Sequence, residues 1–569
     1  MPPPTPATTA LRRRAGVRAG PTKVAVMQEC IVPAPPGVFD GYSAKRTAGS
    51  AWDEMIAPDG SVRPTSRAVH SAVAGMSVED LRARSDSLAA TFLDRGVTFD
   101  LAGEERPFPI DVVPRVLAAQ EWATVDAGVR QRVRVLERFL ADVYGPMRAV
   151  ADGVVPRHVI TSSSHFHRQA AGVEPANGVR VHVSGIDLVR DEAGRFCVLE
   201  DNVRVPSGVS YVLENRRAMT QALPDLFGSV RVRPVSDYPE RLLAALQMAA
   251  PAGVDDPTVV VLTPGVYNSA YFEHALLARS MGVELVEGRD LVCSGNRVRM
   301  LTTGGERRVD VVYRRVDDAF LDPVQFRSDS MLGCAGLLNA ARAGTVTIAN
   351  AVGNGVADDK LIYTYLPDLT RYYLGEEPVL SNVDTWRCEE PEHLAEVLDR
   401  LDELVVKPVD GSGGKGIVIG PQASAPQLDS LRERLRNDPR GWIAQPVVAL
   451  STLPTLVGDE IAPRHVDLRP FAVNDGEDVW VLPCGLTRVA LGEATLVVNS
   501  SQGGGSKDTW VLSDRADRDS TELVDAGGTT ELELVRSSPP DPGPGGPGGA
   551  GQQEQQQQAR VVTPGGPPC

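Results

Sequence analysis

The sequence predicts a protein of mixed α/β and α+β class, with disordered segments at both ends. Three observations support this prediction. β-branched runs flank a glycine-rich turn over residues 405–419, and a second pair of strand patterns spans residues 179–202. Between them, residues 231–320 alternate short apolar runs with helical spacing, as βαβ units do. The chain therefore fits neither the all-α nor the all-β class.

Composition limits the classes of partner and compartment. The chain has 569 residues, enough for roughly three to four domain-sized units. Its formal net charge of −16 argues against a general nucleic-acid binder, and no run of 18 apolar residues suggests a membrane span. Seven cysteines are scattered without a Cys-x-x-Cys pair. We therefore expect reduced thiols, a cytoplasmic location, and neither a disulfide framework nor a zinc site.

Composition and pattern divide the chain into six segments. The two ends are rich in Pro with Ala and Arg, or in Pro, Gly and Gln, and are expected to be disordered. The segments in order are an N-terminal extension (1–36), a helical region (37–160), a hairpin segment (161–230), an α/β unit (231–350), a second hairpin segment (351–511) and a tail (512–569).

Two stretches of the second segment have apolar residues at helical spacing. They run from Ser77 to Arg95 and from Asp111 to Tyr144, where Gly145-Pro146 ends the pattern. We predict a helix for each stretch and find no chemistry-bearing motif in either.

A hairpin with a polar end is predicted over residues 179–202. A turn at 191–194 would bring Asp187 beside the end of the return strand. Glu200 and Asn202 lie on one face there, because side chains alternate along a strand. Two carboxylates and an amide oxygen form a hard, oxygen-only site suited to Mg²⁺. A solvated strand end is the alternative interpretation.

The α/β unit offers two further candidates. Asn268 lies in the loop that follows the apolar strand pattern 258–262, and Arg315 follows the strand pattern 310–313. Ligands bind at the carboxyl ends of strands in open α/β sheets, so both residues are candidate substrate contacts. An arginine in such a place is also commonly a surface salt-bridge partner.

The glycine-rich turn predicts a loop that covers phosphates. Four glycines within residues 411–416 expose backbone N–H groups, and Lys407 and Lys415 add positive charge. A strand rather than a helix follows, which excludes a dinucleotide fingerprint. Gly416 stands where a Walker A loop needs Ser or Thr, and the chain has no kinase catalytic-loop motif. A plain glycine-rich hairpin is the alternative.

Two more lysines are candidates on either side of this turn. Lys360 follows Asp358-Asp359 at a predicted helix start, where the acids suit the helix dipole.

Strand patterns between residues 442 and 499 predict an antiparallel sheet. The second glycine run, 500–510, carries Lys507 and is interpreted as an ordered loop, with a flexible linker as the alternative.

These motifs together resemble the ATP-grasp superfamily in its circularly permuted type 2 branch. Through it they resemble D-alanine–D-alanine ligase and the glutathione and glutathionylspermidine synthetases. The metal hairpin precedes the lysines here, whereas it follows them in the usual order. The resemblance covers about residues 37–510. It implies a permuted ATP-grasp fold in which the 231–350 unit resembles a pre-ATP-grasp domain.

The resemblance also implies roles for individual residues. Gln445 stands where many relatives carry a glutamate, and Arg204 where ordinary relatives have smaller residues. The implied nucleotide site is Lys360, Lys407, Ser412, Gly413, Gly414, Lys415, Gln445 and Val448; the Mg²⁺ ligands are Asp187, Glu200 and Asn202; the catalytic residues are Arg469 and Lys407; and the substrate candidates are Arg204, Ser207, Asn268, Arg315 and Lys507.

The implied function is an ATP- and Mg²⁺-dependent carboxylate–amine ligase acting through an acyl phosphate on a peptide or amino-acid-like substrate. A phosphotransferase and a non-catalytic nucleotide-binding partner of a peptide-processing assembly are the alternatives. Relatives are often dimers, so a homodimer is compatible with the resemblance. Zinc hydrolysis is disfavoured, because His158, His165 and His167 lack His-Glu-x-x-His spacing.

Overall fold

The structure is a computed structural model, and it describes residues 37–42, 51–101, 104–411, 416–492, 498, 504–514 and 555. Some predictions lie outside these described residues. They concern the 1–36 extension, nearly all of the 512–569 tail, and the turn residues Ser412, Gly413, Gly414 and Lys415.

Helices and strands mix along the described chain, as predicted. The α-helices are α1 Arg67–Ala74, α2 Val78–Asp94, α3 Ala119–Val143, α4 Arg148–Ala151, α5 Arg157–Thr161, α6 Val209–Ala222, α7 Pro224–Ser229, α8 Tyr238–Met248, α9 Tyr271–Met281, α10 Asp318–Leu321, α11 Leu337–Arg342, α12 Lys360–Tyr363, α13 Leu366–Leu374, α14 Pro391–Asp399 and α15 Ala425–Asn437. The strands are β1 Thr98–Leu101, β2 Glu104–Pro107, β3 Ile110–Leu117, β4 Val183–Gly185, β5 Asp187–Arg190, β6 Phe196–Glu200, β7 Val259–Leu262, β8 Glu284–Val286, β9 Leu291–Ser294, β10 Arg297–Thr302, β11 Gly305–Arg308, β12 Val311–Arg314, β13 Thr347–Ala349, β14 Ser381–Asn382, β15 Trp386–Arg387, β16 Leu404–Pro408, β17 Val418–Ile419, β18 Trp442–Pro446, β19 Thr452–Val457, β20 Glu460–His465, β21 Arg469–Asn474, β22 Val479–Val489 and β23 Gly505–Val511.

A sheet with strand order β3-β23-β22-β21-β4 joins distant parts of the sequence. β3 pairs in parallel with β23, whereas β22 and β4 both pair antiparallel with β21. Every residue of β3 is buried, which explains its nearly continuous apolar sequence. The sheet therefore joins residues near 115 to residues near 510.

The predicted helix over 111–144 is wrong in its first part. Residues 110–117 form the strand β3, and the helix α3 begins only at Ala119. Pro114 gives the physical reason, because proline breaks the interior of a helix. It lies opposite the irregularity between Lys507 and Thr509, where the ladder can tolerate its missing N–H. The helix predicted after Ser77 is confirmed, and Ser77 caps it.

Two hairpins build the walls of the candidate site. β5 and β6 pair antiparallel with Asp187 opposite Glu200, as the sequence predicted. β16 pairs with both β17 and β18, so Lys407 lies in the middle of a small antiparallel sheet. A bridge between Leu188 and Leu468 joins the first hairpin to the chain just before β21.

The 231–350 unit contains a parallel sheet of order β13-β12-β7-β8 and a smaller antiparallel sheet of order β11-β10-β9. Its strand β7 is buried on both faces, as expected for such sheets. Val260 and Leu262 pack into one large apolar cluster, and Val259 and Val261 into the other. Both clusters extend across the predicted segment boundaries. No helix among the described residues is long and apolar enough to cross a bilayer.

A buried ion pair stabilises the contact between the N-terminal region and the site. Arg115 of β3 binds Glu54 through two hydrogen bonds of 2.6 and 2.8 Å, and both side chains are almost fully buried. Arg115 also donates to the carbonyl of Asp467 at 2.8 Å. Burial alone would raise the pKa of Glu54, but Arg115 and Arg190 together hold it below its ordinary value.

We predict that Glu54→Gln lowers the free energy of unfolding by about 3–5 kcal/mol at neutral pH, because it leaves the buried guanidinium of Arg115 without a carboxylate. The folded-state pKa of Glu54 is lowered, so its stabilisation is complete above the unfolded pKa of about 4.3 and is lost on further acidification. Urea unfolding at several pH values measures both effects.

Asp478→Asn is the matched control, since its carboxylate pairs with Arg130 at the surface and should change stability by less than about 1 kcal/mol. Equal stability of Glu54→Gln and the wild type would contradict the structural role of the pair.

Candidate functional site

A cleft lies between the two hairpins and the β21–β22 pair. One wall is apolar and the other is charged. The apolar lining residues are Leu199, Val405, Ile417, Ile419, Val447, Val448, Leu450 and Val498. The polar and charged lining residues are Asp187, Glu200, Lys360, Lys407, Gln445, Asp467 and Arg488.

Lys407 lies on β16 at the junction of the two walls. Its Nζ donates to Gln445 Oε1 at 2.6 Å, and Gln445 Nε2 donates to Thr385 Oγ1 at 2.9 Å. Burial lowers the pKa of Lys407 to about 8, although Glu200 opposes this shift. The ammonium is therefore mostly charged at pH 7 but sensitive to mild alkali. The structure brings Lys407, Gln445 and Val448 into one cleft.

Lys360 enters from the first turn of α12, which Asp359 caps by accepting from the N–H of Leu361. Its Nζ donates to the carbonyl of Gly411 at 2.6 Å and lies 3.2 Å from Glu200 Oε2. Lys360 thus links Gly411, which follows β16, to the β5–β6 hairpin. The structure explains Asp359 as a cap that also binds Arg440 at 2.9 Å.

A network of two arginines and two aspartates closes the charged wall. Arg469 Nη2 and Arg488 Nη2 each lie 2.7 Å from Asp187 Oδ2, and Arg488 also binds Asp467. Burial alone would raise the pKa of Asp187, but Arg469 and Arg488 hold it below its ordinary value. Burial raises the pKa of Asp467 despite Arg488. The charges of these four side chains are therefore neutralised by one another rather than by water.

The donor set of the hairpin suits Mg²⁺. Asp187 and Glu200 contribute carboxylates to the same cleft. The Nδ2 of Asn202 is buried without a hydrogen-bond partner. Because the two ends of an amide are assigned from their hydrogen bonds, the reversed amide would present Oδ1 at this point, where a cation could bind it. In the described part of the chain, no three His, Cys, Asp or Glu side chains could hold a metal by themselves. Mg²⁺ commonly uses one or two carboxylates plus substrate phosphates, which fits this set.

Two of the predicted substrate residues lie beside the charged wall. The carbonyl of Ser207 accepts from Arg469 Nη1 at 3.2 Å. Arg204 lies 2.8 Å from Asp317 Oδ2, and its side chain is 15% exposed. Both belong to the segment that follows the β5–β6 hairpin, and the Ser207 contact brings that segment next to the charged wall.

None of the five predicted substrate residues is among those that line the cleft, and the other three have partners elsewhere. Arg315 is buried and binds Glu273 at 2.9 Å, and it is therefore not a surface salt-bridge partner. Asn268 is buried, and its Oδ1 accepts from the N–H of Ala270 at 3.0 Å.

Lys507 is fully buried in β23, where its Nζ binds the Asp111 carboxylate and the Pro454 carbonyl. The ordered loop expected around Lys507 is thus a strand from Gly505 onward. Lys507 forms a buried structural ion pair, because the parallel pairing with β3 brings Asp111 opposite it.

Sequence reasoning missed Asp467 and Arg488. Both are charged residues within strand-like apolar stretches, and a buried charge in such a place needs a partner. That pattern could have marked them as members of a buried network. It could not have identified Asp187, which lies 301 positions away in the sequence, as the second partner of Arg488.

The chain matches the family model described as "Circularly permuted ATP-grasp type 2" over residues 114–490, more than half of its length. An uncharacterized protein of Mycobacterium leprae is 59% identical over 509 residues, covering 89% of this chain and 90% of that protein. A Frankia alni protein with a provisional glutamate–cysteine ligase name is 47% identical over 470 residues. This match covers 82% of the chain but only 54% of the Frankia protein.

A solved structure is also similar. It is a glutathione synthetase-like effector of Globodera pallida in its apo form, with a TM-score of 0.53 and 11% sequence identity. The alignment covers 77% of this chain and 98% of that one. At this identity the likeness concerns the fold alone. With the family match and the close relatives, it leads to one conclusion: the chain belongs to the circularly permuted ATP-grasp type 2 family.

Proposed function

We propose that the protein is an ATP-dependent carboxylate–amine ligase that forms an amide bond through an acyl phosphate on a peptide or amino-acid-like substrate. The observation that carries this proposal is the convergence of Lys360, Arg469 and Arg488 on the Asp187 and Glu200 carboxylates of one hairpin, in a cleft that Lys407 also lines. Positioning and charge neutralisation are the main tasks of an enzyme that transfers a phosphoryl group.

The cleft suits ATP in its shape and polarity. The apolar wall forms a slot for the adenine ring, and Gln445 to Val448 supply the edge that reads it. Lys407 and Lys360 lie further along the cleft, where they bind the phosphates. The glycine turn would cover these phosphates with backbone N–H groups.

The metal hairpin supplies the binding site for Mg²⁺. Asp187, Glu200 and Asn202 would hold the ion, which would act as a Lewis acid on the phosphates. Arg469 lies beside Asp187 and neutralises charge on the transferred phosphoryl group and on the tetrahedral oxyanion that follows.

The relatives support a ligase in general terms. The Frankia protein carries a ligase name, but the chain matches only about half of its length, so that name does not define the substrates here.

The ligase reaction is tested with ATP, Mg²⁺ and pools of amino acids and small peptides, with ADP release as the first readout. We expect ADP release that depends on both a carboxylate and an amine, with an amide product and inorganic phosphate by mass spectrometry. A stable phosphorylated product would instead identify a phosphotransferase. Nucleotide binding without turnover by any pool would favour a non-catalytic binding partner.

The charge state of Lys407 should govern ATP affinity. Because its pKa is about 8, we expect the Kd for ATP to rise between pH 7 and pH 9 as the ammonium loses its proton. Lys407→Arg keeps its charge and should flatten this rise, whereas Lys407→Ala should raise the Kd about tenfold or more at pH 7. Isothermal titration calorimetry measures all three proteins.

Arg400→Ala removes an exposed cation from the turn before β16 and serves as the control for Lys407. An unchanged Kd for Lys407→Ala would contradict the phosphate role of this lysine.

The Glu200→Gln variant tests whether Glu200 binds Mg²⁺ or only pairs with Lys360. A ligand role predicts a larger loss of affinity for ATP with Mg²⁺ than for ATP alone, because the amide binds Mg²⁺ more weakly than the carboxylate. Glu192→Gln, in the exposed turn of the same hairpin, is the matched control. Equal losses with and without Mg²⁺ would remove Glu200 from the metal site.

A further inference from the structure

A second cluster of charged side chains lies beside the cleft and is not used by the ATP chemistry above. It consists of Arg204, Asp317, Asp358 and His165. Arg204 Nη1 lies 2.8 Å from Asp317 Oδ2 and 3.2 Å from His165 Nδ1, and its Nε lies 3.7 Å from Asp358 Oδ2. The side chains of Arg204, Asp317 and Asp358 are between 9% and 15% exposed, so solvent reaches the cluster.

The cluster lies between the parallel sheet and the metal hairpin. Asp317 follows the carboxyl end of β12, the edge at which open α/β sheets bind ligands. Arg204 comes two residues after Asn202, and Asp358 comes two residues before Lys360. Lys360 also contributes to the electrostatic surroundings of both His165 and Asp358. A second substrate that approaches the phosphate end of the cleft from this sheet edge would meet the cluster.

Charge decides which ligand the cluster can accept. Burial and Arg204 lower the pKa of His165 to about 3, so the imidazole is neutral. The ionised cluster then has two carboxylates and one guanidinium. Neighbouring charged groups are already paired: Asp318 with Arg314, Asp201 with Arg132, and Lys360 with Glu200. An anionic ligand would find Arg204 occupied, whereas an ammonium group would balance the charge.

The geometry leaves one carboxylate oxygen ready for that ammonium. Asp358 Oδ1 accepts from the N–H of Val203 at 2.7 Å, but the 3.7 Å distance from Oδ2 to Arg204 is too long for a hydrogen bond. Gly355 packs closely against Arg204 and His165 on the other side of the cluster. A Cβ at this position would lie only 3.0 Å from Arg204 Cδ and 3.1 Å from His165 Cβ. Close packing of this kind holds the cluster in place before a ligand arrives.

We propose that this cluster binds the ammonium group of the acceptor substrate and that Asp358 removes its proton; the proposal rests on the ligase function proposed above. The ammonium N–H proton moves to Asp358 Oδ2, which leaves a lone pair on nitrogen. That lone pair forms the C–N bond at the acyl carbon. The C–O bond to phosphate breaks, and phosphate leaves with the electron pair. The nitrogen then loses its second proton to the departing phosphate, which leaves a neutral amide.

The surroundings of Asp358 suit a general base. Burial raises its pKa to about 7, although Arg204, the Val203 N–H and Lys360 oppose the shift and Asp201 adds to it. The group is therefore about half ionised at neutral pH, where general bases are most effective. Amide formation should rise with pH through about 7 in the wild-type protein.

The test compares two amine probes in the full chain with ATP, Mg²⁺ and the pooled carboxylates. Glycinamide carries a protonated fraction that must lose its proton, whereas hydroxylamine is neutral at pH 7 and traps acyl phosphates without a base. For Asp358→Asn we expect about 10²-fold less amide from glycinamide and no rising limb in its pH profile. Hydroxamate formation should change less than threefold. The amide oxygen introduced by this substitution can keep the contact with the Val203 N–H, and thermal unfolding checks the fold.

A second variant and a control complete the test. Asp317→Asn should raise the KM for glycinamide without a matching loss of kcat or of hydroxamate, and it decides the matter if Asp358→Asn fails to fold. Asp478→Asn removes an exposed carboxylate far from the cluster in sequence and should change neither product. Equal losses of amide and hydroxamate, or wild-type amide formation by both variants, would overturn the amine site alone. No ADP release by the wild type with any probe would overturn the ligase function and the amine site together.

Discussion

The ion-pair network around Asp187 is the interaction on which the site depends. Asp187 lies on β5, whereas its partners Arg469 and Arg488 lie on β21 and β22, almost 300 positions later. Buried charges are stable only when they are paired, so the hairpin must lie against these two strands. This contact closes the cleft. It also explains why a circularly permuted chain order is compatible with the site, because the contact depends on the folded geometry and not on which segment comes first.

The same network suggests how the cleft accepts a highly charged ligand. In the structure, the carboxylates neutralise the cations, with Glu200 near Lys360 and Asp187 near Arg469. Under the proposed function, ATP brings negative charge for the lysines and arginines, and Mg²⁺ brings positive charge for the carboxylates. Each group would exchange a protein partner for a ligand partner, so little unpaired charge is buried at any stage. Binding of nucleotide and metal is therefore expected to be strongly coupled.

The proposed amine site extends this logic to the second substrate. It lies where the parallel sheet meets the β5–β6 hairpin. Arg204 and Asp358 each lie two residues from a residue of the proposed metal or nucleotide site, Asn202 and Lys360 respectively. A shift of either segment on nucleotide binding would therefore change both sites together. Arg115 contributes from a distance, because it holds the carbonyl of Asp467 while its own charge is balanced by Glu54.

The sequence alone determined the local features: the lysine strand and the strand that returns beside it, the hairpin that pairs Asp187 with Glu200, and the helix after Ser77. These depend on residue spacing and turn chemistry, which act over a few positions. Only the tertiary structure decided the partners of charged residues. Lys507 and Arg315 looked like ligand contacts but are buried ions paired with Asp111 and Glu273. Asp467 and Arg488 looked ordinary but line the cleft. The reason is physical: the role of a charge is set by its neighbours in space, and here those neighbours are tens to hundreds of positions away in the sequence.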